Sequence, residues 1–229
     1  MNGYSTELSG TIRITAPVNL GERFLAGWLT AFQHVHPDII IDLVLSDRSM
    51  DLIQEGIDIA LRIGHLPDSE LVARKIGDVH GVLCASPAYL EKHCTPEEPA
   101  QLARHSTVIY SWRQDGRPTQ LTLTRGTLQK TVELRGTFFA NHVGAIHQAV
   151  LDGAGFHAGP IWLFGDAIRE GRLVPVLTDW QLPVLPVHIL RLKHPYVPAR
   201  FSALSDWLVD SWKNEPLLAL KETAPSHSP

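Results

Sequence analysis

The hydrophobic pattern changes period repeatedly along the chain, between about two and about three and a half residues, which marks strands alternating with helices. Residues 11–15 alternate as a strand. Pro17 then opens a helix with Leu20, Phe24, Leu25, Trp28, Leu29, Phe32 and Val35 on one stripe, and Pro37 closes it. The run 39–45 is almost wholly apolar, which predicts a strand buried on both faces of a parallel sheet. A short helix, starting at Ser46 or Asp47 and ending at Gly56, leads to a third strand over 57–63.

The middle of the chain repeats this plan. A strand over 82–85 feeds a helix launched by Ser86 and Pro87, a short helix covers 96–105, and a strand covers 107–110. Gly116, Pro118 and Gly126 punctuate two short runs, 120–123 and 131–134, which read as an exposed hairpin outside the core. The alternation then resumes with strand 137–140, helix 141–151, strand 155–158, helix 161–170 and an edge strand 173–176. A last strand over 187–192 precedes a helix over 198–212, with Phe201, Leu204, Leu208 and Trp212 on one side. Residues 1–9 read as the end of a linker and 214–229 as a flexible tail.

The fold class this predicts is α/β, with two Rossmann-like lobes and a cleft between them. Lobe I takes 10–65 and 187–213, lobe II takes 82–176, and the crossovers at 66–81 and 177–186 act as hinges. In open parallel sheets ligands settle at the carboxyl ends of the strands, where loops and helix starts converge. The glycine and histidine that end the third strand, Gly64 and His65, have nothing left to pack and belong on such a wall.

Composition narrows the function classes. The 229 residues are 44% hydrophobic and 19% charged, without an apolar run long enough for a membrane span. The polar start of the chain lacks the basic and apolar segments of a secretory signal, which predicts a cytoplasmic protein. Cys84 and Cys94 are expected as two thiols rather than a disulfide. A net charge of -4 gives no concentrated basic face for nucleic acid, so DNA contact must come from a part not encoded here.

Enzyme motifs are missing: there is no G-x-S-x-G elbow, H-E-x-x-H, P-loop or Cys-x-x-Cys, and the histidines have no partners at telling spacing. The expectation is therefore a protein that is not an enzyme, with a hydrolase as the remote alternative because triads assemble in space. His34 and His36 are metal-ligand types without a third ligand, so no metal and no cofactor is expected. Gly153, Gly155 and Gly159 do not match the dinucleotide fingerprint. What the strand ends do offer is unoccupied backbone N–H groups at helix starts, which suit carboxylates and phosphates.

The stretch "GTIRITAPVNLGERFLAGWLTAFQHVHPDIIIDLVLSDRSMDLIQEGIDIALRIGHLPDSELVARKIGDVHGVLCASPAYL", followed by "ANHVGAIHQAVLDGAGF" and "GRLVPVL", resembles the effector-binding domain of LysR-type transcriptional regulators. The resemblance implies a type 2 periplasmic-binding-protein-like fold with a small-molecule inducer between the lobes, expected to be an anionic or aromatic metabolite. It also implies a homodimer through this domain, with the first helix of one subunit against the second lobe of the other, and a tetramer in a full-length parent. Promoter DNA would be reached through a winged helix-turn-helix that is absent here. Inducer binding is expected to shift the lobes' orientation and so the geometry of the oligomer. A solute-binding protein of a transport system is the alternative, since only the role would differ.

Carried over by position, the resemblance selects Thr15, Ala16, Pro17, Val18 and Asn19 after the first strand, Ser46 after the second, and Gly64 and His65 after the third. In lobe II it selects Ser86, Asn141, His142 and Gly159. The chain departs from the family at "GFHAGP", where relatives carry an aliphatic run ending in proline. Each residue also has a plainer reading. Asn19, Ser46 and Ser86 are ordinary helix caps, His65 a solvated turn residue, and His157 a satisfied strand-end histidine. Arg62 reads as structural, extending its stem to the surface or pairing with a carboxylate such as Asp58.

Overall fold

The computed structural model describes residues 8–48, 50–66, 70–110, 119–193 and 196–220. The chain divides into two compact units, Met1–Asp78 with Leu185–Pro216, and Val79–Val184 with Leu217–Pro229.

The first unit is built on a five-stranded sheet in the order β2-β1-β3-β11-β4. Its strands are β1 (Gly10–Ala16), β2 (Ile39–Leu45), β3 (Ile59–Ile63), β4 (Val72–Val79) and, after the chain returns, β11 (Leu185–Arg191). β1 lies parallel to both β2 and β3, whereas β11 runs antiparallel to β3. The apolar stripe of the first helix is real but not regular. α1 (Val18–Leu20), a π-helical segment (Gly21–Leu25) and α2 (Ala26–Val35) follow one another without a break. Gly21 sits so close to β2 that a Cβ there would lie 2.1 Å from Leu45 Cδ2, so only glycine lets the helix start press against the sheet.

Phe24, Trp28 and Phe32 are occupied within the unit. Phe24 stacks on Trp28, Trp28 meets Trp212 edge to face, and Phe32 meets Trp207 edge to face. Trp207 Nε1 also donates to Trp28 O at 2.9 Å, tying α6 (Ala199–Lys213) to α2. On α6, Leu204, Leu208 and Trp212 are buried as their spacing predicts.

Three expectations for the first unit and the tail need correction. β2 is an edge strand with Ile40 exposed, not a strand covered on both faces, because β1 and β3 take the central places. Among the described residues between Asp47 and Gly56 no helix forms. Asp51 Oδ1 accepts from Ile53 N and Gln54 N instead, and the segment folds into turns. The stretch read as a hinge over 66–81 contains β4, paired to β11, and the boundary between the two units, after Asp78, falls within it. The tail is anchored as far as it is described: Leu218 is buried and Leu220 packs on the second unit's core. Residues 1–7 and 221–229, like Gly116 and Pro118, lie outside the described residues.

The second unit holds β5 (Gly81–Ala85), α3 (Pro87–His93), β6 (Ser106–Tyr110), β7 (Thr119–Arg125), β8 (Leu128–Ala140), α4 (Val143–Leu151), β9 (His157–Pro160), α5 (Ile161–Arg169) and β10 (Val174–Pro175). β5 lies between β10 and β9, and β8 between β6 and β7. Phe156 joins the two sheets, donating to Ser106 O at 2.9 Å and accepting from Val108 N at 2.8 Å. Here the strand buried on both faces is β5. Val82 and Cys84 point into one core with Ile146, Ile161 and Phe164, while Leu83 and Ala85 point into another with Tyr89, Phe156 and Trp180. The hairpin is not outside the core, because Leu123 and Val132 are buried in that second cluster. Cys84 is a free, buried thiol, pushed up to about 12 by burial, and Cys94 is a free, exposed one.

Candidate functional site

Parallel pairing brings three strand ends of the first unit to one edge. Ala16 stands beside Leu45 and Thr15 beside Ala60, so the segments that follow, 17–19, 46–47 and 64–65, leave the sheet together, next to Arg62 near the end of β3. Ser46 N donates to Ala16 O at 3.0 Å and extends the β1–β2 pairing by one bond. Thr15 is fully buried, with its hydroxyl donating to Met50 Sδ at 3.5 Å, and Ala16 is fully buried beside it. Gly64 takes a φ of +113°, donates to Pro186 O at 2.8 Å, and has open space where a Cβ would stand. His65 is exposed, as a turn residue would be.

The capping residues have changed roles. Asp47 does not start a helix of its own; its Oδ1 accepts from Val18 N at 2.9 Å and so caps the helix that follows β1. Ser46 Oγ accepts from Arg48 N at 3.1 Å. Asn19 makes no cap: its Nδ2 is buried with no hydrogen-bond partner.

Arg62, read from the sequence as structural, lacks the carboxylate partner expected for it. Asp58, its candidate partner, accepts instead from Arg13 N at 2.8 Å. The Arg62 side chain has one long bond, from Nη1 to Leu61 O at 3.4 Å, and its Nη2 is buried without an acceptor. Burial lowers the guanidinium from its ordinary range, and the charge of Asp47 opposes that shift. Asp47 Oδ2 is also buried without a partner. Directly across from Arg62 on β11 stands His188, whose Nδ1 is a further buried, unbonded atom. Burial and then Lys75 lower its pKa, so the ring is neutral near pH 7. Each such unmet group costs about 1–3 kcal/mol. A single cation interrupting the apolar run 59–63 was the available signal for this cluster, but not its lack of a partner.

The second unit divides its selected residues between two edges. β6 and β8 run parallel with Tyr110 beside Ala140, and Thr107 is bridged in parallel to Phe156, so Asn141, His142 and Gly159 lie toward one edge. Asn141 and His142 are exposed there. β5 runs antiparallel to β9, with Cys84 beside His157 and Gly81 beside Pro160. Ser86 therefore emerges at the opposite edge, about 15 Å along the strands from Asn141. The carboxyl-end rule holds only for strands that run the same way, and β5 does not.

Ser86 is an N-cap in this structure, accepting from Tyr89 N at 3.3 Å. Gly159 is buried, and a Cβ on it would lie 2.3 Å from Phe164 Cε2, so packing demands the glycine. His157 is the satisfied strand-end histidine of the plainer reading. Its Nδ1 donates to Val108 O at 2.8 Å, and burial lowers its pKa to about 4. Among the described residues no cluster of three or more His, Cys, Asp or Glu could hold a metal ion, and no helix is long and apolar enough to cross a membrane.

Comparison with known proteins is consistent across sequence and structure. Residues 5–213 match the LysR substrate binding domain. The HTH-type transcriptional regulator PtxR of Pseudomonas aeruginosa is 33% identical over 210 residues, which are 92% of this chain and 67% of that protein. The full-length structure of AphB, a Vibrio cholerae virulence activator, covers 88% of this chain and 68% of its own, with a TM-score of 0.75 and 31% identity. CrgA, a LysR-type transcriptional regulator from Neisseria meningitidis, covers 92% of this chain and 71% of its own, with a TM-score of 0.77 and 26% identity. The overall α/β architecture is thus the type 2 periplasmic-binding-protein-like fold.

Proposed function

The chain belongs to the LysR substrate binding domain family, and from that membership we propose that a small metabolite binds at the carboxyl edge of β1, β2 and β3 in the first unit. The domain's role is ligand sensing within a transcriptional regulator, and a transport-type solute-binding role has no better support. The observation that carries the binding site is the set of buried polar atoms at that edge, on Asn19, Asp47 and Arg62, which have no hydrogen-bond partner among the described residues.

The remaining parts of the reading are further proposals. Asn141 and His142, exposed at one edge of the second unit, are that unit's proposed ligand contacts, and Gly159 is required there by packing against Phe164. The protein acts in the cytoplasm as a homodimer, its effector is an anionic or aromatic metabolite, and it touches promoter DNA only through a helix-turn-helix of a longer parent. Ligand occupancy favours one of two states that place the attached DNA-binding domains differently. Micromolar affinity takes about 8 kcal/mol, so several of these groups and an apolar wall must act together.

A thermal-shift screen of metabolites tests the sensing role through ligand linkage. The expected result is a rise in melting temperature with one metabolite class, which shrinks when Asn19 and Ser46 are changed to alanine while the ligand-free melt stays nearly unchanged. Full response by both variants would remove the proposed edge.

A further inference from the structure

The unmet atoms at this edge are of two kinds. Arg62 Nη2 and Asn19 Nδ2 are donors, whereas Asp47 Oδ2 is an acceptor. Asp47 Oδ1 is committed to Val18 N at 2.9 Å, so only Oδ2 is available. The chain brings these groups together by register. Arg62 follows Ala60, which stands beside Thr15, and Asp47 reaches Val18 from the neighbouring β2 end. Arg62 and Asp47 lie near enough to attract, yet no hydrogen bond joins Nη2 to Oδ2.

The charges matter as much as the bonds. The guanidinium and the carboxylate nearly cancel, so the edge has little net attraction for a simple anion. A lone carboxylate placed on Arg62 would also face the Asp47 carboxylate. A ligand that adds a hydroxyl or ammonium turns that repulsion into a hydrogen bond.

Resting on the ligand-sensing reading above, we propose that the first unit recognises a metabolite bearing both a carboxylate and a hydrogen-bond donor, the chemistry of a hydroxy acid or an amino acid. Arg62 and Asn19 hold the ligand carboxylate, and Asp47 Oδ2 accepts from the ligand's hydroxyl or ammonium. Asp47 is the specificity residue, because it separates such a ligand from the same acid without the donor. The unsatisfied atoms are then a cost carried by the ligand-free state for the sake of binding.

Two measurements on the full chain test this. The first is the ligand-free melt of the double variant R62M/D47N, in which asparagine keeps the bond to Val18 N. It is expected to melt at or above the wild-type temperature. A fall of more than about 5 °C would show the two charges to be a structural pair, ending the inference while leaving the sensing role standing.

The second is calorimetric titration with matched acids: lactate and propionate, malate and succinate, mandelate and phenylacetate, phenylalanine and 3-phenylpropionate. In at least one pair the donor-bearing member is expected to bind about tenfold more tightly, with the preference lost in D47N and binding weakened in R62K. Equal binding within every pair that binds, or retention of the preference in D47N, would overturn the inference. Failure of all eight compounds would overturn the assigned ligand class, and the metabolite screen would judge the sensing role separately.

Discussion

His157 in the second unit and Arg62 in the first are both basic side chains set in apolar strands, and their surroundings differ at every point. His157 is 6% exposed, stays neutral, and spends its Nδ1 proton on Val108 O at 2.8 Å. Arg62 keeps its charge, bonds only Leu61 O at 3.4 Å, and buries Nη2 with no acceptor. A buried polar group whose partner is inside the protein holds the fold together. In our proposal, Arg62, whose partner is missing, marks where a partner from outside belongs.

The strongest way to break that contrast is to attack the packing around His157. Phe164 is fully buried and its ring lies against His157. Phe164→Ala should cost about 3–5 kcal/mol in chemical denaturation. A loss of similar size from R62M would erase the distinction between the two sites.

Acid titration comes next. His157 has a folded pKa of about 4, below its ordinary 6.5, so the unfolded chain binds the extra proton more readily. Stability from this group is complete above about pH 6.5 and is lost as pH falls through the folded value, by about 3 kcal/mol in all. Equilibrium unfolding between pH 7 and pH 4 should show this slope. The variant H157Q, which can still donate to Val108 O, should flatten it.

Two smaller effects sharpen the comparison. Asn19→Ala should weaken ligand binding about tenfold, or about 1.4 kcal/mol, with little change in the melt, because the amide has no partner to lose. Ser86→Ala should do the reverse. It removes the α3 cap and costs about 1 kcal/mol of stability, while ligand affinity is unchanged.

Much of the architecture was legible because the physics that sets it is local. β2 spans Ile39–Leu45 as its apolar run predicts, and α5 starts at Ile161 where Pro160 ends the strand before it. Failures arose where a partner distant in sequence decided the outcome. Asp47 looked like the cap of its own helix and instead caps the helix of β1, 29 positions away. Ile40 looked buried because its neighbours in sequence are apolar, yet strand order leaves β2 at the edge. Ser86 was grouped with Asn141 by a rule about strand ends, and only the antiparallel pairing of β5 with β9 separates them. For the proposed edge, Thr15, Asn19, Ser46 and Gly64 were nominated from strand ends and the family resemblance, and the parallel pairing of β1 with β2 and β3 brings those strand ends together. Arg62 was visible as a charge in an apolar strand, but a sequence displays a charge without displaying whether anything answers it.

Amide hydrogen exchange, compared with and without a metabolite that raises the melting temperature, tests the account most directly. Slower exchange is predicted over residues 18–19, 46–47 and 62–65 of the first unit, with none near Ser86 and α3. Protection confined to the Ser86 edge, or absent from all three of those segments, would contradict the placement of the ligand.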